Sequence, residues 1–106
     1  MPIRSRLPFA ALVAATLLGG APAFAQEDTQ ARYLAATCAN CHGTDGRSAG
    51  GGGMPGLAGL SRTYMIEQMK AFRDGERKAT IMHQLAKGYT DEQIALMADF
   101  FSKQKK

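Results

Sequence analysis

Two cysteines separated by two residues, with a histidine directly after the second, constrain this chain more than anything else in it: Cys38-Ala39-Asn40-Cys41-His42. Thiols one helical turn apart can each form a thioether with one vinyl group of a haem. The imidazole that follows then sits beneath the ring, where a nitrogen can bind the iron as proximal ligand. Three other uses of the cysteines compete. A thioredoxin-like redox pair has the same gap but needs a preceding strand, and no β-branched run surrounds Cys38. A zinc site needs two further ligands at metal spacing, and only His42 and His83 remain. A plain disulfide suits an oxidising compartment but gives His42 no purpose.

The first 25 residues read as an export signal. Arg4 and Arg6 supply the basic start, Phe9 to Leu18 is apolar apart from Thr16, and Ala23-Phe24-Ala25 is a small-x-small cleavage site. The apolar run is shorter than the ~20 residues of a membrane span, and the cleavage site favours removal over an uncleaved anchor. Residues 26–106 then form one domain with no transmembrane segment. A domain of that size is marginal on side chains alone, and with no Trp its largest apolar body is expected to be the porphyrin. The net charge of +4 loses two units with Arg4 and Arg6, and haem propionates offset the rest. No basic stripe with interleaved aromatics is present, which excludes nucleic-acid binding.

The pattern predicts an all-α fold: three main helices and a short distal one, around one covalent haem. Glu27 to Thr37 forms the first helix, with Ala31, Leu34, Ala35 and Cys38 on one face, Glu27 and Asp28 at its start, and Tyr33 against a neighbouring helix. The haem motif closes that helix and Gly43 turns the chain out of it. Gly43 to Gly59 is loop. Its run Gly50 to Gly53 lacks the Lys-Ser/Thr pair and the preceding strand of a phosphate-cradling loop. Ser61 or Thr63 caps a second helix that runs to Asp74 and ends at Gly75. Tyr64, Met65, Gln68, Met69 and Phe72 form its apolar face. A short turn over 80–87 stops at Gly88. Thr90 and Gln93 then form a capping box for a last helix to Ser102, which buries Ile94, Met97, Ala98 and Phe101. Lys103, Lys105 and Lys106 complement its dipole and fray.

Iron held by His42 leaves a distal position. Met65, Met69 and Met97 lie on helical apolar faces and read as core. Met54 is too close in sequence to the proximal side. Met82 lies far downstream, in a short segment between two helices that can fold back over the other haem face, and is the expected distal ligand. Its neighbour His83 competes for that role, and an open five-coordinate iron is the remaining possibility.

These features resemble the class I cytochromes c over essentially all of residues 26–106. The carrying motifs are Cys38-Ala39-Asn40-Cys41-His42, Pro55-Gly56-Leu57-Ala58-Gly59-Leu60, Met82, and Ala98-Asp99-Phe100-Phe101. The resemblance implies the class I fold with haem c on Cys38 and Cys41 and iron between His42 and Met82. It also implies a hydrogen bond from His42 to the carbonyl of Pro55, and packing of Leu57 on the ring. Thr80 to Thr90 and Phe72 to Glu76 look most like the cytochrome subunit of flavocytochrome c sulfide dehydrogenase. That implies a periplasmic electron carrier serving a flavoprotein subunit, itself non-catalytic. The c4-like and c553-like soluble cytochromes share many of these features, so a free electron shuttle is the alternative. Lys70, Arg73, Arg77, Lys78 and Lys87 flank the distal segment and are candidates for steering an acidic partner. A gas sensor or peroxidase-like enzyme would need the open iron.

Overall fold

The computed structural model describes residues 19, 20, 22–50 and 53–106. The basic start and apolar run of the export signal, and Gly51 and Gly52, lie outside the described residues. Within them the chain is all-helical. Five helices follow in order: α1 (Ala23–Ala36), α2 (Ala39–His42), α3 (Arg62–Asp74), α4 (Met82–Ala86) and α5 (Asp91–Ser102). A single 3₁₀ turn, Thr44–Gly46, follows α2.

α1 is rich in alanine and straight-chain residues, which lose little freedom in a helix. It buries Ala31 and Ala35, one turn apart, against α5. α5 returns Ile94, Met97, Ala98 and Phe101, the i, i+3, i+4, i+7 stripe that marks a core-facing side. Small side chains on α1 let the two axes come close, and α3 closes the layer with Met65. The central cluster is Ala35, Met65, Ala98 and Phe101, with Cys38, Leu57, Leu60, Ile66 and Phe100 packed around it. Among the described residues nine hydrophobic side chains are buried, and five of them are alanines. So thin a core needs a further apolar body to hold a domain of this size.

Helix ends fall where local chemistry puts them. Ser61, rather than Thr63, caps α3 by accepting from Tyr64 N–H at 3.3 Å, and Gly75 ends it with φ +79°. Thr90 Oγ1 accepts from Gln93 N–H at 3.2 Å while Gln93 Oε1 accepts from Thr90 N–H at 3.0 Å, completing the capping box of α5.

Four expectations are corrected. α1 starts at Ala23, not Glu27, so Glu27 and Asp28 lie beyond its first turn. It stops at Ala36; Thr37 and Cys38, the first residue of the motif, form a turn, and the remaining motif residues form their own helix. Tyr33 is 75% exposed and packs on no helix. The basic tail does not fray: Arg47 Nε donates to the carbonyl of Lys105 at 2.8 Å, and Lys103 pairs with Asp99 at 2.6 Å.

Candidate haem-binding site

The site grows outward from α2. His42 N–H donates to Cys38 O at 2.9 Å and Gly43 N–H to Ala39 O at 3.0 Å, so Cys38 to His42 occupy one helical turn. Gly43 leaves that turn at φ +84°, where a Cβ would run into the carbonyl of Arg47. Cys38 is half-buried against the central cluster and Cys41 is exposed; both thiols are free. Burial, more than any neighbour, holds the Cys38 thiol above its ordinary range. An activated redox pair needs the opposite shift. Among the described residues no three His, Cys, Asp or Glu side chains converge as a metal cage would require.

His42 is 8% exposed, and its Nδ1 lies 2.7 Å from the carbonyl oxygen of Pro55. A carbonyl can only accept, so Nδ1 carries a proton, and the tautomer this bond selects has its lone pair on Nε2. That is the tautomer a metal-binding imidazole requires, with its other nitrogen anchored. The loop that delivers Pro55 is itself fastened. Gly46 O accepts from Leu57 N–H at 2.7 Å and from Ala58 N–H at 3.1 Å, and Ser48 Oγ donates to Met54 O at 2.7 Å. Leu57 is half-buried against the central cluster.

Met82 stands apart from this group. It is the first residue of α4, half-buried, on the short helix that packs chiefly on α3. The Nδ1 of neighbouring His83 is buried without a partner among the described residues. One contact draws the two halves together. Thr37, just before the motif, gives its hydroxyl proton to Leu34 O at 2.9 Å, so Tyr89, just after α4, donates to Thr37 Oγ1 at 2.9 Å. Sequence reasoning missed this tether, because 52 residues separate its ends and neither carries a local signature.

The residues fit an iron porphyrin. Two free thiols sit two residues apart on one helical turn, and the His42 ring beside them is anchored through Nδ1, with Nε2 left for a metal. Met54, Tyr64, Ile81 and Leu85, near Pro55, on α3 and around Met82, leave large apolar surface exposed, which a small domain ordinarily covers. Two shallow grooves lie elsewhere, between α1 and α5, sharing Glu27, Leu96 and Asp99, and neither touches the cysteine motif.

Three of the five candidate steering cations are already engaged. Arg73 Nη1 donates to Asp91 Oδ1 at 2.7 Å and Lys70 Nζ lies 3.3 Å from Asp91 Oδ2. Arg77 stacks its guanidinium 4.6 Å over the Phe72 ring and bonds to Gln68.

The family model described as "Cytochrome c" matches residues 26–105. The cytochrome subunit of sulfide dehydrogenase from Chlorobaculum tepidum is 39% identical over 74 residues, covering 70% of this chain and 66% of that protein. Cytochrome c-554(548) of Halomonas halodenitrificans is 45% identical over 71 residues, covering 64% of this chain and 84% of its own length. The thiosulfate dehydrogenase electron acceptor of Thiomonas intermedia is 38% identical over 71 residues, but this chain spans only 33% of it.

Proposed function

The chain belongs to the cytochrome c family, and we propose that within it this protein is the exported electron-accepting subunit of a sulfide-oxidising flavocytochrome. It is an electron-transfer protein holding one haem c. The observation that carries the reading of the site is the hydrogen bond from His42 Nδ1 to Pro55 O, which leaves Nε2 aimed by a fixed ring. The likeness to the Chlorobaculum cytochrome subunit supports the choice of partner.

In this reading Cys38 and Cys41 hold the porphyrin covalently, His42 and Met82 are the axial ligands, and Leu57 packs on the ring. The group supplies a one-electron ferric/ferrous couple. What the chain contributes is control over that couple. Pro55 orients His42 and raises its basicity. Met82, a soft neutral donor, would favour the ferrous state. The flavin that would oxidise sulfide belongs to another chain. Residues 1–25 are removed at Ala25 and residues 26–106 are the periplasmic domain. No helix among the described residues is long and apolar enough to cross a membrane.

A second reading, a free electron shuttle, draws support from the likeness to the Halomonas cytochrome, 45% identical over 71 residues. Affinity purification from a periplasmic extract separates the two. A flavin-containing partner retained through size exclusion supports the subunit, and a haem protein eluting alone supports the shuttle. For the axial ligands, Met82→Ala converts a low-spin spectrum into a high-spin one that binds carbon monoxide. An unaltered visible spectrum in that variant removes Met82 from the iron.

A further inference from the structure

The loop carrying Pro55 contains the run Gly50 to Gly53, which supplies no side chain to fix the carbonyl of Pro55. Besides the bond from Ser48 to Met54 O, its position is set at Gly46. The carbonyl of Gly46 gathers two backbone donors, Leu57 N–H and Ala58 N–H, immediately after Pro55 and Gly56. Gly46 has φ +77°, and a Cβ there would lie 2.8 Å from Leu57 Cβ, 2.8 Å from Phe101 Cδ1 and 3.0 Å from Ala58 N. Two of those three neighbours are a backbone nitrogen and a Cβ rigidly attached to backbone, so the space cannot be cleared by a rotamer change. The preceding residue, Asp45, sits at φ 52°, ψ 26°, a left-handed conformation that side chains rarely accept. The chain tolerates that strain in the turn that aims the Gly46 carbonyl at the loop. From the other side α5 bolts the assembly down. Phe101 is buried against Gly46, Gly59 N–H donates to Phe101 O at 2.9 Å, and Arg47 Nε donates to Lys105 O.

We propose that Gly46 is a positioning residue for the axial imidazole: its backbone holds Pro55 O against His42 Nδ1 and so sets how strongly His42 donates to the iron. This rests on His42 being an iron ligand. A shorter, well-aligned hydrogen bond at Nδ1 gives the imidazole more anionic character, which stabilises ferric iron; lengthening it shifts the balance toward ferrous. Gly46 acts through the register of residues 57 and 58, whose N–H groups its carbonyl holds.

The test uses the full-length holoprotein. Gly46→Ala keeps its low-spin spectrum while the ferrous-to-ferric ratio at a fixed ambient potential rises about two- to tenfold, the range for losing one hydrogen bond. The His42 Nδ1 proton then exchanges faster with solvent. Gly50→Ala is the control: Gly50 has the same φ of +77° with nothing within 4 Å of a Cβ, so it bears the backbone strain without the clash and leaves the ratio unchanged. An unshifted ratio in Gly46→Ala, or an equal shift in Gly50→Ala, overturns the proposal. Should Gly46→Ala fail to load haem, native-state hydrogen exchange on the unsubstituted holoprotein decides. The amides of Leu57 and Ala58 and the His42 Nδ1 proton must open together, with one denaturant slope; separate slopes refute the clamp. If the His42 ring protons carry no shift from the paramagnetic iron, the ligand assignment itself fails, and the proposal with it.

Discussion

At His42 a single proton decides the chemistry. With Nδ1 committed to a carbonyl, the bond selects the tautomer whose lone pair lies on Nε2. The motif Cys38 to His42 was legible in the sequence because thioether and ligand chemistry both demand that spacing. Its partner Pro55 was legible only through resemblance, since 13 residues of loop carry no geometric information of their own. Tyr89 was not legible at all. Its hydroxyl joins Thr37 across the ends of the two segments said to clasp the haem, and a long-range side-chain bond of that kind leaves no periodic trace. Tyr89→Phe removes a bond that is solvent-exposed and worth about 0.5–1 kcal/mol. The expected outcome is a slightly lower thermal midpoint and faster displacement of the proposed Met82 ligand by added imidazole. A displacement rate equal to that of the unsubstituted protein means the tether does not restrain the distal segment.

Among the helices, legibility follows the caps. α3 and α5 carry their boundaries in side chains, Ser61 and Gly75 for one and the Thr90–Gln93 box for the other, and both fall within a residue of the sequence reading. α1 has no side-chain cap, only Pro22 before it, and so its start was misplaced. The join between α3 and α5 depends on Asp91, whose carboxylate is held below the usual range chiefly by its hydrogen bond from Arg73 and next by that from Lys70. A carboxylate depressed in the folded state stabilises it above the unfolded value, and that contribution disappears as pH falls through the folded one. Thermal midpoints recorded from pH 5 downward are therefore expected to fall more steeply in the natural protein than in Asp91→Asn. Salt should narrow the gap, because the cluster is exposed. Parallel curves for the two proteins would take Asp91 out of the acid response.

Over the whole molecule, charge is distributed rather than massed. With Lys70 and Arg73 turned to Asp91 and Arg77 laid on Phe72 and bonded to Gln68, Lys78 and Lys87 are the steering candidates with no ion-pair, hydrogen-bond or cation–π partner among the described residues. A docking site that rests on two lysines gives a shallow salt dependence. Exchange of electrons with an acidic redox partner should slow modestly as ionic strength rises, and the double change Lys78→Gln/Lys87→Gln should flatten that slope. A slope preserved in the double variant places the steering elsewhere. The closing residues carry a different lesson. Composition alone makes Lys-Gln-Lys-Lys a solubility tail, yet the carbonyl of Lys105 receives Arg47, and the methylenes of Lys106 lie near Gly59. A carboxypeptidase that nibbled this end would be trimming a strap buckled to both ends of the loop that carries Pro55.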